Sequence, residues 1–288
     1  MSPFKKSVVK GSNSKGKELV IDVDNFSPKS KKTRSSIGFY DPDKFRSYVA
    51  FQAYESYFKD AHLLVERAVN QASLLETNIP KWFASKDWKY LLTNLDDTYK
   101  KMVKEFYANV ISKGDEIKCW VRRKSFTVTP IYLADILHIN WSIFPKTPVY
   151  DDLNLDEEVL RETLGDNLEF SSNGKSVSVA SLSPKLRLLI TIMFHNLYPL
   201  SSTGYMNLGR ALFLHDLIND EEIDVCSHIF HILSKTTKRT ASRNCLPFCY
   251  LFSKILKLKG VHPSEDEYPD PQPSPINICT LNASIGHT

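Results

Sequence analysis

The sequence predicts a mainly α-helical α+β domain that carries one small antiparallel β-element and has a disordered tail at each end. Apolar residues recur three and four positions apart through most of residues 39–262, as on the buried face of a helix, but alternate with polar residues over 116–129, as in strands. The 288 residues are 42% hydrophobic and 24% charged, a composition sufficient for a buried core. We therefore divide the chain into a disordered basic tail (1–38), a mostly helical domain (39–262) and a disordered Pro-rich tail (263–288).

The first part of the domain combines a helix with an aromatic cluster. Asp41 followed by Pro42 is typical of a helix start, and an apolar stripe continues from there to Phe58. Residues 80–95 hold aromatic and leucine side chains beside several lysines. Such rings can stack on the bases of single-stranded nucleic acid. Because aromatic side chains also bury the most surface per residue, we interpret this cluster as core.

The central stretch changes its pattern twice. Residues 99–110 place a stripe of apolar side chains on one helical face, with lysines turned outward. Residues 116–121 and 126–128 then alternate apolar and polar side chains on either side of a polar Arg-Arg-Lys segment, which predicts a two-stranded hairpin. Thr129 followed by Pro130 predicts the N-cap and the first residue of the next helix.

The remainder of the domain is predicted to be mainly helical. A short helix over 156–164 ends at Gly165, and the Asn-Gly pair at 173–174 predicts a hairpin turn. The Ser-Pro pair at 183–184 begins a helix with apolar residues on nearly every side, which we predict to be the central core helix. Three further helices are predicted over 206–218, 223–234 and 246–258.

Positive charge is concentrated in the N-terminal tail. Residues 1–36 hold nine Lys or Arg and three Asp or Glu, a balance of +6, so the rest of the chain holds 28 basic and 30 acidic side chains, a balance of −2. Within the tail, Lys29, Lys31, Lys32 and Arg34 resemble a short nuclear-import signal or a nucleic-acid-binding arm, whose contacts would be weak and salt-sensitive. A solvated leader without a partner is the alternative.

Targeting signals and cysteine usage point to the interior of the cell. The N-terminus has lysines but no apolar segment behind them, and no window approaches the ~18 apolar residues of a membrane span. Five scattered cysteines suit reduced thiols better than a disulfide framework. We expect an intracellular protein, nuclear or cytoplasmic, with no cofactor, no membrane association and no small-molecule substrate.

A metal site is the sharpest alternative to this interpretation. His228 and His231 lie three positions apart on one helical face, and a tetrahedral zinc ion could recruit Cys245 and Cys249 from the next helix, with Cys226 left over. The same stretch is also typical of an amphipathic core helix, and the Cys-x2-Cys-x4-His-x4-Cys spacing of a retroviral knuckle is absent. We predict no bound metal, although sequence alone leaves the role of these residues open.

Catalytic motifs are not found in the chain. A two-metal transposase or integrase needs converging carboxylates, and Asp135, Asp216, Asp220, Glu222 and Asp224 are candidates, but their spacing selects no trio. A Gly-rich phosphate loop and a Gly-x-Ser-x-Gly elbow are also absent from the sequence. We therefore expect a protein that is not an enzyme.

Six short motifs, taken together, carry a family resemblance. In order, they are Trp88-Lys-Tyr-Leu-Leu, Glu105-Phe-Tyr-Ala-Asn109, Phe126-Thr-Val-Thr-Pro130, His195-Asn-Leu-Tyr-Pro199, Arg210-Ala-Leu-Phe-Leu214 and Leu246-Pro-Phe248. The chain resembles the putative plant transposon protein domain over residues 45–262. That family occurs in retrotransposon-related proteins, including neighbours of the Athila-type first-open-reading-frame protein. Relatives place a glycine in the hairpin turn where this chain has Arg123 and Lys124. The resemblance implies origin in a mobile element but no catalytic residues.

These observations predict a non-enzymatic retroelement-derived plant protein, gag-like or accessory. Its basic arm would associate with nucleic acid, and its body would contact protein partners or self-associate. A nucleic-acid-processing enzyme of the transposase or integrase type is one alternative. A decayed element fragment without a selected function is the other.

Overall fold

The computed structural model describes residues 40–93, 97–141, 150, 157–202, 204–237 and 245–280. The chain divides into two compact units, Met1–Phe39 and Tyr40–Thr288. The first unit lies outside the described residues, and with it the predicted disordered basic tail. The architecture given below is that of the second unit.

The second unit is built mainly of helices with small sheets, which confirms the predicted fold class. No helix within the described ranges is long and apolar enough to cross a membrane. The described strands are β1 (His62–Leu63), β2 (Ile111–Lys113), β3 (Glu116–Val121), β4 (Lys124–Val128), β5 (Ser176–Ser178), β6 (Tyr205–Asn207) and β7 (Cys245–Leu246). The described helices are α1 (Tyr48–Ala53), α2 (Ile79–Ser85), α3 (Tyr90–Thr93), α4 (Lys100–Asn109), α5 (Pro130–Leu137), α6 (Glu157–Leu164), α7 (Pro184–Ile192), α8 (Leu208–Ile218), α9 (Val225–Thr237) and α10 (Cys249–Leu258).

Most predicted helices occur where expected, but three starts are misplaced: Asp41-Pro42, and residues 206 and 246, which lie in β6 and β7. The Asp41-Pro42 start is wrong, because Asp41 instead begins a separate turn. Its carbonyl accepts the N–H groups of Lys44 and Phe45. Helix α1 begins later, where the Ser47 hydroxyl accepts the N–H of Ala50 at 3.2 Å. A π-helical turn then extends it to Phe58, as the apolar stripe predicted.

The β-element is a three-stranded antiparallel sheet in the order β2-β3-β4, one strand more than the predicted hairpin. The turn between β2 and β3 uses Gly114 at φ +59°. Strand β3 alternates as predicted, with Ile117, Cys119 and Val121 buried and the intervening side chains outward. Strand β2 was missed because three residues are too few to show alternation.

The turn between β3 and β4 holds two arginines in the left-handed region. Arg122 has φ +45° and Arg123 has φ +67°, values at which glycine or asparagine is usually preferred. The Arg122 guanidinium donates to Glu105 at 2.8 and 3.1 Å and to Glu267 at 2.8 Å. We call Glu105, Arg122 and Glu267 the ion triad. The side chains of all three are at most 12% exposed, whereas Arg123 is exposed and pairs with exposed Asp43.

Helix α7 is buried on most of its surface, as predicted for the central core helix, with Leu188, Leu189, Ile190 and Ile192 all inside. Most of the aromatic cluster at 80–95 is core, as we interpreted it, although Trp82 and Tyr90 are only half-buried. Its Trp88 is 2% exposed and stacks on Phe213 of α8 at a centroid distance of 6.5 Å.

Two small sheets complete the unit. Strand β1 pairs with β7 in parallel, which joins sequence-distant segments. The Asn-Gly turn forms as predicted, with Gly174 at φ +68° and a bridge between Phe170 and Val177. The main partner of β5 is nevertheless β6, paired antiparallel.

The C-terminal segment differs from the expected disordered tail (263–288). Residues 264–280, which we call the strap, lie against the domain, while 281–288 fall outside the described residues. Ile276 forms a parallel bridge with Val69 and is completely buried. Proline prevents helix formation here but permits an extended segment to dock.

Acidic side chains fix the first half of the strap. Glu267 belongs to the ion triad, and Asp270 forms an antiparallel bridge with Thr98. The Asp270 carboxylate accepts the Lys100 N–H at 2.8 Å and pairs with the Lys100 ammonium at 2.8 Å. A carboxylate at the start of α4 is favourable because the helix N-terminus carries partial positive charge.

Candidate nucleic-acid interface

Helix α5 is capped at both ends, and its start is the one predicted from the sequence. The Thr129 hydroxyl accepts the Tyr132 N–H at 3.1 Å, and Pro130 occupies the first helical position. His138 ends the helix at φ +54°, and its N–H bonds to carbonyls of the last turn. Tyr132 and His138 therefore lie near opposite ends of α5, about 9 Å apart along an axis that rises 1.5 Å per residue.

Helix α10 begins on a buried carboxylate. Glu66 accepts the N–H groups of Tyr250 and Leu251 at 3.0 and 3.1 Å, where the helix dipole favours negative charge. Burial raises the pKa of Glu66 to about 7, and the amide donors partly offset this rise. From this anchored start, α10 directs Lys254 and Lys259 to the vicinity of α5.

Five side chains from α3, α5 and α10 form a surface row of rings and cations. The Lys254 ammonium lies 4.9 Å from the Tyr90 ring centroid and donates at 3.0 Å to a carbonyl near the end of α5. The Tyr90 and His138 rings are 4.3 Å apart, and the Lys259 ammonium lies 4.5 Å from the Tyr132 centroid. We call this set the ring–lysine row: Tyr90, Tyr132, His138, Lys254 and Lys259.

The row combines positive charge with accessible ring surface. His138 is exposed and the other four members are half-buried. Ile131 and Leu258, on the same two helices, are 54% and 62% exposed, while Asp135 is an exposed acid on α5. An ammonium group is attracted to the face of an aromatic ring, and this attraction holds the lysines in place. Such a surface can accept both a phosphate and a flat apolar ring.

Two small cavities adjoin α10. One, of about 30 Å³, is lined by residues that include Glu66 and Asn196, and has room for about one water molecule. The other, of about 190 Å³, lies among Tyr99, Met102 and Lys257. Both are smaller than the roughly 300–1,000 Å³ typical of small-molecule sites. The surface row is therefore the stronger candidate for a functional site.

The contact residues predicted from sequence lie elsewhere. Lys29, Lys31, Lys32 and Arg34 all fall outside the described residues, so their role stays a prediction. Sequence analysis missed the ring–lysine row because its members come from three helices. The lysine spacing on α10 is visible in the sequence, but tertiary packing alone brings it to the rings of α3 and α5.

The residues considered as metal ligands are spread over two helices and a strand. Within the described ranges, no three His, Cys, Asp or Glu side chains are grouped to hold a metal ion. His228 packs among the rings of Tyr150, Tyr198 and Phe213, with centroids 4.4–5.6 Å away. Burial raises the pKa of Cys226 to about 12, which disfavours the thiolate that a metal requires. The full set is Cys226, His228 and His231 on α9, Cys245 in β7 and Cys249 on α10.

The carboxylates considered for catalysis have separate structural contacts. Asp216 accepts a tyrosine hydroxyl at 2.8 Å, Asp220 pairs with Lys86 at 3.1 Å, and Asp224 accepts the Ser227 N–H in the first turn of α9 at 2.9 Å. These contacts assign each of the three a role in the fold. The two remaining candidates, both exposed, are Asp135 and Glu222.

A family profile accounts for most of this unit. The family described as "Putative plant retrotransposon-related domain" matches residues 85–262, more than half of the 288 residues. The chain belongs to this family. The plant retrotransposon-related match contains all six motifs noted in the sequence, and it also contains the whole ring–lysine row. No curated protein and no solved structure matches the chain.

The motif residues of this plant retrotransposon-related domain lie at internal contacts. The Asn196 amide donates to the Arg67 and Leu91 carbonyls at 2.8 and 2.9 Å. The Tyr107 hydroxyl donates to the Pro247 carbonyl at 2.7 Å. Glu105, from the same motif as Tyr107, belongs to the ion triad. In this chain these three motif side chains hold the fold together.

Proposed function

We propose that the chain is a non-enzymatic, retroelement-derived plant protein, gag-like or accessory, that associates with nucleic acid through its basic N-terminal arm. The partition of charge carries this proposal, since residues 1–36 have a balance of +6 against −2 for the rest. Clustered Lys and Arg bind phosphates by releasing counterions. Family membership supports the retroelement origin.

The folded unit would serve protein contacts or self-association. The two cavities beside α10 are too small for a drug-sized ligand, and protein partners would bind to the surface of the unit. The proposal also places the chain with proteins encoded beside the Athila-type first open reading frame, and inside the cell, in the nucleus or cytoplasm. The four basic residues of the arm suit either nuclear import or phosphate contact.

The test compares nucleic-acid binding by the full chain and by an arm variant in which Lys29, Lys31, Lys32 and Arg34 are all replaced by Gln. Fluorescence anisotropy would follow a labelled single-stranded RNA and a labelled DNA duplex over a range of salt. If each arm residue contacts one phosphate, the slope of log affinity against log salt becomes roughly 3 less negative in the variant.

A matched control separates the arm from overall charge. It replaces four exposed lysines of the folded unit by Gln, which lowers the net charge equally: Lys113, Lys124, Lys175 and Lys185. The proposal expects the control to keep the salt dependence of the unmodified chain. An equal change of slope in both variants would contradict an arm-specific contact, and absence of binding by the full chain would remove nucleic acid as a partner.

A further inference from the structure

We propose that the ring–lysine row binds single-stranded nucleic acid, with bases stacked on the His138 and Tyr132 rings and phosphates beside Lys254 and Lys259. This inference rests on the proposed function, because it specifies the form of the nucleic acid. It also adds a second contact surface, on the folded unit. The arm would provide affinity for any phosphate backbone, and the row would provide preference for unpaired strands.

The rings offer two stacking positions. The exposed His138 imidazole lies against Tyr90 with ring centroids 4.3 Å apart and planes 38° apart, so it extends the Tyr90 ring toward solvent. Tyr132 lies near the other end of α5 and is half-buried. Every base has a flat π-face, so such rings bind bases with little sequence preference.

The lysines provide the complementary charge. The Lys259 ammonium lies 4.5 Å from the centroid of Tyr132, and the Lys254 ammonium lies 4.9 Å from the centroid of Tyr90, the ring next to His138. Lys254 donates to a carbonyl of α5 at 3.0 Å, but an ammonium has three N–H donors, so more than one acceptor can be served. A phosphate that links stacked bases would pass close to both cations.

The use of ring faces favours an unpaired strand. The backbone positions of Tyr132 and His138 are about 9 Å apart along the α5 axis at 1.5 Å per residue, and stacked nucleotides are about 3.4 Å apart on one strand. The row would therefore contact about three nucleotides. In a duplex the base faces are stacked on one another, and only base edges and backbone are accessible. A duplex can meet the lysines but not the rings.

The test measures the ratio of single-strand to duplex affinity for the full chain. His138→Asn removes the imidazole but keeps a residue that tolerates the left-handed backbone of this position. Tyr132→Leu removes the aromatic face but keeps an apolar side chain, and Tyr132→Phe keeps the face. Tyr205→Leu is the matched control, because Tyr205 is 56% exposed and lies outside the row. Lys259→Gln, with Lys175→Gln as its control, tests the charge.

The row predicts a selective loss. His138→Asn and Tyr132→Leu should each weaken single-strand binding about 5- to 100-fold while duplex binding is unchanged, whereas Tyr132→Phe and Tyr205→Leu should bind like the unmodified chain. Lys259→Gln should make the single-strand salt slope about 0.7 less negative. Circular dichroism melting of each variant checks the fold.

Two results would overturn the inference: unchanged single-strand affinity in both ring variants, or equal losses for single strand and duplex. Failure of the proposed function looks different. If the proposed function fails, the arm variant keeps the salt slope of the unmodified chain for both nucleic-acid forms. This result does not depend on the affinities of the ring variants.

Discussion

The two adjacent arginines of the β3–β4 turn should respond oppositely to the same substitution. Both have a left-handed backbone, at φ +45° for Arg122 and φ +67° for Arg123, so glycine relieves the same strain at either position. Only Arg122 belongs to the ion triad. Comparing Arg122→Gly with Arg123→Gly therefore isolates the contribution of the triad from the contribution of the backbone.

The burial of the two ion pairs sets the expected magnitudes. Breaking a buried pair by removing one partner costs about 3–5 kcal/mol, and glycine at a left-handed position returns about 1 kcal/mol. Arg122→Gly should thus lower the free energy of unfolding by roughly 2–4 kcal/mol. Arg123 and Asp43 are 73% and 54% exposed, and such pairs contribute about 0–1 kcal/mol. Arg123→Gly should change stability by about 1 kcal/mol or less.

Urea unfolding followed by tryptophan fluorescence measures both variants, because a change in midpoint at constant slope reports stability alone. Burial raises the pKa of Glu105, so the loss in Arg122→Gly should be smaller in acid, where the carboxyl is protonated and needs no cation. As a control, Arg122→Met combined with Glu105→Gln and Glu267→Gln should recover most of the stability. Equal destabilisation by the two glycine variants would refute this account of the turn.

Two further predictions concern Glu66 and the strap. Because burial raises the pKa of Glu66 from 4.5 to about 7, the folded state holds its proton more tightly, and the free energy of unfolding should fall by about 3 kcal/mol as the pH rises from about 4.5 to 7. Urea titrations at several pH values should show that Glu66→Gln removes this dependence. If the two proteins differ in free energy of unfolding by the same amount at every pH, the prediction is wrong. Ile276→Ala should cost about 2–5 kcal/mol, because Ile276 is completely buried, and should lower the thermal midpoint. Tyr268→Ala, at an 82% exposed strap position, should melt like the unmodified chain, and equal midpoints for the two variants would show that the strap is not docked.

Local hydrogen bonding explains which elements were predictable. The Thr129-Pro130 and Ser-Pro helix starts were correct because the cap is made within four residues, as the 3.1 Å bond to the Tyr132 N–H shows. The Asp41-Pro42 start was wrong although Asp is also a common N-cap residue and a proline again follows it, because Asp41 bonds to its neighbours in a turn that ends before α1. Residue type predicts a cap only when the following turn continues as a helix.

Tertiary contacts explain what the sequence did not reveal. The average composition of residues 263–288 suggests disorder, but the segment docks through individual residues such as Ile276, whose partners lie more than 200 positions away. The ring–lysine row is similar, since Tyr90 meets His138 only after α3 and α5 have packed. The two arginines of the turn were visible in the sequence, but the contacts of Arg122 with Glu105 and Glu267 were not.

The strap has a practical consequence for the boundaries of any recombinant fragment. The family match ends at residue 262, yet the Glu267 carboxylate and the Ile276 side chain beyond it complete buried contacts. On the N-terminal side, the Asn109 side chain bonds to the backbone of Lys44 and Arg46, both ahead of the match. A fragment cut to 85–262 would open the core at both flanks and be prone to aggregate, so the smallest autonomous folding unit should extend from about residue 40 to 280.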